Sequence, residues 1–317
     1  EPREWSIVGK DDEYAYFGNM NLLVGKNASG KSRTLNVIRE IACMLAGKIN
    51  LKQAISPSEQ YELIFTDDNI KYEYLLTFKN KAVIEERLTL NSQVLLDRNK
   101  RILIDKDKVN LLDSISDYQL AITIVESENK YLFPDLVEWG QSLKNYLFAN
   151  QLEKSRLVKD YTQIDGDDQD IDDPDVLIYT FFKGKELHKD SFISEIKDGM
   201  KDLGYTISDI DIQKTDMGYG IYIEEDGEYI VPQREMSQGM FRALSLLIML
   251  SYARLNNISL CLLVDDMGEG LDYASSQKMI DIVIKKIQNT DMQIFMTSND
   301  RHVMNQISLR YWSVIDR

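Results

Sequence analysis

The chain has 317 residues, with 37 Lys+Arg against 52 Asp+Glu, and so a formal charge of −15. Its 44% hydrophobic and 28% charged content excludes a disordered, collagenous or membrane protein, and no apolar run reaches the roughly 18 to 20 residues that span a bilayer. So acidic a total argues against nonspecific DNA binding, which needs clustered Lys and Arg, although a local basic stripe can hide within it. The opening Glu1-Pro2-Arg3-Glu4-Trp5 lacks the basic-then-apolar order of a signal peptide. Cys43 and Cys261 fall inside apolar patterns and read as buried thiols of a reducing, cytoplasmic compartment.

In chain order, short strands are predicted over 5–8, 14–17 and 20–24. A glycine-bearing loop follows, then a helix whose Leu35, Ile38, Ile41, Ala42 and Leu45 share one face and which Gly47 ends. Alternation of Leu63 and Phe65, then Tyr72, Tyr74, Leu76 and Phe78, predicts an antiparallel meander over 61–96. Residues 110–160 read as mainly helical, with Leu132, Leu136, Trp139, Leu143 and Leu147 at helical spacing. Seven aspartates crowd 164–175; without the mid-loop glycine and terminal glutamate of an EF-hand they read as a solvated acidic loop rather than a calcium site. A helix is expected over 192–203, strands over 207–212, 220–223 and 229–231, with a hairpin turn at Asp226-Gly227. A long apolar helix covers 238–255. Strand, helix, strand, helix and strand then finish the chain over 260–264, 275–287, 293–296, 301–306 and 311–315, which predicts parallel strands covered by helices.

Gly25-Lys26-Asn27-Ala28-Ser29-Gly30-Lys31-Ser32 matches G-x-x-x-x-G-K-[ST] between an apolar strand and an amphipathic helix, the setting of a phosphate loop. Inward-pointing N–H groups and the helix N-terminus favour an anion there. Lys31 would reach the β- and γ-phosphates, and the Ser32 hydroxyl would ligate Mg²⁺. Downstream, the apolar run Cys261-Leu262-Leu263-Val264 ends in Asp265 and Asp266, placing carboxylate at the C-terminal edge of the sheet beside that loop. Asp265 is the expected Mg²⁺ partner. Ser237, before the 238–255 helix, is by itself a good N-cap.

The phosphate loop and the run Asp265-Asp266-Met267-Gly268-Glu269-Gly270-Leu271-Asp272 resemble ABC-class ATPases, and within them the SMC/RecF/OLD-type, AAA-ATPase-like branch. The resemblance implies an α/β fold. The architecture it implies is an ABC-type ATPase head with a mixed sheet flanked by helices, an antiparallel β subregion and a helical insertion. One domain over 1–317 would divide into a β-rich lobe with the phosphate loop (1–109), a mostly helical insertion with the acidic loop (110–190), and a lobe with the signature motif and carboxylate strand (191–317). ATP and Mg²⁺ are the implied cofactors. Gly25, Asn27, Ala28, Ser29, Gly30, Lys31, Ser32 and Arg33 would contact nucleotide, Ser32 and Asp265 the metal.

By the same resemblance Asp266 would activate water, with Lys31 and Asn299 the other catalytic candidates, and Asp272 would sit in a dimer-contacting loop. Met236-Ser237-Gln238-Gly239-Met240-Phe241-Arg242 is similar to the family signature, whose Ser237 and Gly239 would bind the γ-phosphate held by a second subunit. Two positions depart from the family: Asp266 replaces the usual Glu, one methylene shorter, and Asn299 stands where a His is common, with His302 three residues on. No glutamine is assigned to Mg²⁺ sensing; Tyr14 or Tyr16 could stack on adenine. The implied activity is slow ATP hydrolysis driving an ATP-sandwiched homodimer or higher assembly that controls a separate effector protein, as in bacterial anti-phage and toxin-linked systems. A hydrolysis-deficient scaffold and a RecF-like DNA-repair ATPase stay open. Nucleic acid is not favoured as a partner, and no membrane is.

Overall fold

The computed structural model describes residues 6–8, 15–53, 56–67, 69–127, 130–146, 154–160 and 176–316. They form two compact units, one of Glu1–Val37 with Leu143–Arg317 and the other of Ile38–Ser142. The first unit opens with β1 (Ser6–Val8), β2 (Met20–Val24) and α1 (Lys31–Leu45), a helix that continues past the division. The second holds β3 (Glu59–Asp67), β4 (Ile70–Lys79), β5 (Ala82–Leu90), β6 (Gln93–Asp97), β7 (Ile102–Leu103), α2 (Leu111–Ser114), β8 (Val125–Ser127), β9 (Lys130–Tyr131) and α3 (Pro134–Ser142). The first resumes with β10 (Leu143–Tyr146), α4 (Val176–His188), α5 (Asp190–Asp202), β11 (Ile207–Thr215), β12 (Gly218–Glu225) and β13 (Tyr229–Pro232). It ends with α6 (Gln238–Leu255), β14 (Cys261–Val264), α7 (Tyr273–Ile287), β15 (Gln293–Thr297), α8 (Arg301–Gln306) and β16 (Trp312–Asp316).

The first unit is built on a six-stranded sheet in the order β1-β16-β2-β15-β14-β10. All neighbours pair in parallel except the edge pair of β1 with β16. Every residue of β2 and β14 is buried, which is why both read as unbroken apolar runs rather than alternating ones. Helix α6 is apolar on nearly all sides because α4, α5 and α7 all pack on it. The two buried serines it carries are satisfied, Ser245 Oγ donating to Phe241 O at 2.7 Å and Ser251 Oγ accepting from Lys286 Nζ at 3.0 Å. Glu195 of α5 clasps both Lys286 of α7 and Arg254 of α6. Burial alone would raise its pKa, but those two cations outweigh it and hold the carboxyl low. Beside the main sheet, β11, β12 and β13 form a three-stranded meander, and Asp226 and Gly227 both take left-handed φ (54° and 73°) in its expected turn.

The second unit is an antiparallel meander, β3 to β7, with a small β8–β9 pair. The alternation read in the sequence is real: Tyr74, Leu76 and Phe78 are buried, while Leu75 and Thr77 between them are half-buried. Its centre holds a carboxylate. Glu86, 0% exposed, accepts from the Tyr74 hydroxyl (3.1 Å) and from the backbone N–H groups of Ala121 (2.8 Å) and Ile122 (3.1 Å), and faces Arg98 at 3.6 Å. Arg98 in turn donates to the carbonyls of Ser116 and Gln119, so one ionic pair fastens the 116–122 segment to the sheet.

Two expectations are corrected. Residues 15–17 form no strand; Phe17 packs edge-on against Phe295 at 5.1 Å, and its apolar character serves that contact. The 132–147 helix is α3 alone. It stops at Ser142, because Leu143 is buried as the first residue of β10, paired with Cys261; a leucine at helical spacing was a strand residue. Most of 110–133 is short turns and strands rather than helix. Tyr14, Leu147 and the acidic stretch 164–175 lie outside the described residues. Both cysteines are free and buried, and burial pushes the Cys261 thiol far up.

Replacing Glu86 by Leu would leave the Tyr74 hydroxyl and two N–H groups without their acceptor and leave Arg98 with Asp117 as its carboxylate at 3.6 Å, a loss on the order of 3 kcal/mol. Urea unfolding of Glu86→Leu should show it; a change under about 1 kcal/mol would mean the ion pair does not fasten this segment.

Candidate functional site

The phosphate-loop residues occupy the turn between β2 and α1. Lys26 O accepts from Ser29 N at 3.0 Å, Ala28 takes φ 61° and Gly30 φ 116°, the latter a conformation only glycine adopts without strain. Lys31 is 6% exposed, and its ammonium donates to the carbonyls of Gly25 (3.0 Å) and Lys26 (3.2 Å). Ser29 Oγ is buried without a hydrogen-bond partner. A buried hydroxyl beside a buried ammonium and a helix start fits an anionic, oxygen-rich ligand. Asn27, Ala28, Ser32 and Arg33 are exposed around it.

The carboxylates arrive from β14, separated from β2 by one strand, β15. The last residue of β15, Thr297, is 0% exposed and links them. Its hydroxyl donates to Asp265 Oδ1 at 2.5 Å and accepts from Asp266 N at 2.8 Å, while its carbonyl accepts from Met267 N at 2.7 Å. Asp266 is thereby held at φ 50°, a region in which Asp is among the few tolerated side chains. Burial, then the neighbouring carboxylates Asp265 and Glu269, raise the Asp266 pKa; Lys31 and Arg242 pull the other way. The structure therefore brings Lys31 into electrostatic reach of the carboxylate turn. An all-oxygen donor set of Ser32 and Asp265 suits a hard cation such as Mg²⁺, which keeps waters and substrate oxygens as its other ligands.

A second group forms at the start of α6. Ser237 caps the helix, its hydroxyl accepting from Met240 N at 3.1 Å, and it is hydrogen-bonded to Tyr205. Gly239 is required by packing inside the chain, since a Cβ there would lie 2.1 Å from the Gly270 carbonyl oxygen. Arg242 Nη1 donates to Glu269 O (3.1 Å) and Oε2 (2.6 Å). The helix start and the 266–272 loop are thus one block. Asp272 caps α7, accepting from Ser275 N (3.0 Å) and Ser275 Oγ (2.8 Å), bonds that lower its pKa. Asn299 is exposed just beyond β15, and His302, also exposed, stands edge-on to Tyr273 at 4.4 Å. Tyr16 lies elsewhere. It lines a cavity of about 340 Å³ with Asn21, Arg310 and Trp312, at the N-terminal ends of β2 and β16 rather than at the phosphate loop.

Sequence reasoning did not assign Thr297, Tyr205 or the Arg242–Glu269 contact. The only trace of Thr297 was a polar residue closing a buried strand.

A phosphate loop opening a helix, with paired carboxylates two strands away on a parallel sheet, is the arrangement of an ABC/SMC-type P-loop ATPase. The chain belongs to the family described as "AAA domain, putative AbiEii toxin, Type IV TA system", whose model matches residues 20–305. No curated protein matches it. Among solved structures, an SMC head bound to the C-winged helix domain of ScpA is 13% identical over 94% of this chain and 90% of its own, with a TM-score of 0.52. The SMC head domain from Thermotoga maritima is 14% identical over 94% and 90%, with a TM-score of 0.43. The shared fold rests on the first of these. Family and fold are those of nucleotide-binding ATPases, and among the described residues no helix is long and apolar enough to cross a membrane.

Asp266 carries a proton more readily folded than unfolded, so its ionised form costs stability above its raised pKa, and that cost fades as pH falls toward the ordinary value of 3.8. Asp266→Asn should therefore melt higher than the wild type near neutral pH, with the gain shrinking as the pH is lowered to 3.8. Equal melting temperatures at both pH values would show that no such penalty exists.

Proposed function

We propose that this chain binds Mg-ATP and hydrolyses it slowly to ADP and phosphate, and that ATP joins two copies head to head in an assembly that controls a separate effector protein. The observation that carries this reading is the Asp265–Thr297–Asp266 bridge within electrostatic reach of Lys31. In it the Lys31 ammonium, the Ser29 hydroxyl and the N–H groups of the loop bind the phosphates. Ser32 and Asp265 would hold Mg²⁺, which when bound neutralises phosphate charge. Asp266 accepts the proton of the attacking water as the new P–O bond forms and the bond to ADP breaks; its raised pKa strengthens it as a base at neutral pH.

The chain works as one ATPase domain in this reading. Ser237 and Asp272, both exposed, would be offered to the second copy, and Gly239 beneath them packs the α6 start and the 266–272 loop into one block. ATP would supply the differential affinity that an association switch requires. The family description, a putative toxin of a Type IV TA system, supports a toxin-linked or anti-phage setting, and two free buried thiols support a reducing cytoplasm. The missing methylene at Asp266 and the non-titratable Asn299 support slow turnover.

Steady-state ATP turnover is the test. Lys31→Ala should abolish nucleotide binding, whereas Asp266→Ala should keep binding and lose about 10²–10⁴-fold in kcat. Thr297→Val should lose kcat with little change in ATP affinity, and Thr297→Ser should restore it. A wild-type rate no higher than that of Asp266→Ala would leave an ATP-binding scaffold instead. Salt-sensitive duplex DNA binding that requires ATP would favour a DNA-repair role.

A further inference from the structure

Residues 154–158 lie against the segment that leads into Ser237. Val158 exchanges both backbone hydrogen bonds with Tyr219 of β12, at 2.9 and 2.7 Å. Leu157 seats where Gly220 has no side chain; a Cβ there would come within 2.5 Å of Leu157 Cδ2. Gln233 is 3% exposed and spends its whole amide on this junction. Its Nε2 donates to the carbonyls of Arg156 (2.8 Å) and Lys154 (3.3 Å), and its Oε1 accepts from Ile221 N (3.1 Å). Lys154 then reaches forward, its ammonium donating at 2.5 Å to Met236 O, the carbonyl directly before Ser237.

These contacts converge on a short stretch that the buried Met236 side chain and the Ser237 bonds to Met240 and Tyr205 also hold from its C-terminal end. The one-turn helix Gln233–Glu235 has no side-chain cap, and β13 ends at Pro232. A phosphate contact at a helix start depends on placing one hydroxyl and a few N–H groups within fractions of an ångström. A charge-assisted bond to Met236 O and a buried amide restrain that placement more firmly than the chain alone.

We propose that Lys154 and Gln233 are positioning residues that hold Ser237, the signature serine, in place for the phosphate of a second, ATP-bound copy; this rests on the ATP-joined assembly proposed above. Residues 154–158 thus act on the signature motif as one strap.

The test uses the full chain and its Lys154→Met, Lys154→Arg and Gln233→Leu variants. Loss of one charge-assisted bond should weaken ATP-driven association about tenfold in Lys154→Met, with ATP affinity of the single chain unchanged and Lys154→Arg close to wild type. Exchange of the Met240 amide, which Ser237 caps, should quicken by a similar factor in Lys154→Met and Gln233→Leu. Unchanged Met240 exchange and association in Lys154→Met overturn the proposal, even where Gln233→Leu fails to fold. Where the wild type itself shows no ATP-driven association, the assembly reading fails, and Met240 exchange alone then decides whether the strap holds Ser237.

Discussion

The site depends on the register of β15 between β2 and β14. Met296 lies opposite Leu22 on one side and Val264 on the other, and Thr297 follows opposite Leu23. That register puts the Thr297 hydroxyl beside Asp265 and the backbone of Asp266, at the edge where β2 turns into the phosphate loop. A slip of one residue would turn the hydroxyl to the other face and leave Asp265 without its donor. Strands buried on both faces have no polar side whose burial would forbid such a slip; the buried Asn21 of β2 holds the register instead, its Nδ2 donating to Ile294 O of β15 at 3.0 Å.

Around that edge the structure accepts electrostatic strain. Asp265, Asp266 and Glu269 crowd one turn, and burial adds to their mutual repulsion at Asp266. Lys31 and Arg242 offset part of it. Arg242 is also bound to Glu269, and Gly239 rests on Gly270, so the helix start of α6 and the carboxylate turn are mechanically one piece. A displacement of either shifts the other. Coupling of this sort is what a nucleotide-driven switch needs: a contiguous, rigid element that a ligand can bias.

Elements with strong periodicity were legible in the sequence. Helix α6 was read over the range it occupies, and the last three strands and two helices came in the right order, because β14 and β15 are buried apolar runs and α7 keeps an apolar face at helical spacing. The region before them was harder. Leu143 sits at helical spacing from Trp139, yet parallel pairing with β14 claims it for a strand; no local pattern reveals a partner more than a hundred residues away. The candidate site divides in the same way. Motif residues announce themselves by type and spacing, whereas Thr297, Tyr205 and Gln233 matter through what they face. Gly239 shows the converse: its motif suggested room for a phosphate, and the structure shows room for Gly270.

The same distinction bears on Asp266. From the sequence, Asp in place of Glu is a carboxylate one methylene short of its water. That comparison assumes a fixed backbone. At φ 50° the Cα–Cβ bond points differently from that of a residue in ordinary helical or extended conformation, so the position of the carboxylate follows the turn as much as the side-chain length. The turn is held by Thr297 through two hydrogen bonds, one from Asp266 N to the Thr297 hydroxyl and one from Met267 N to the Thr297 carbonyl. A shorter side chain also has fewer rotamers to lose and tolerates the left-handed backbone better than Glu. The reach of this carboxylate is therefore set jointly by Asp266 and Thr297.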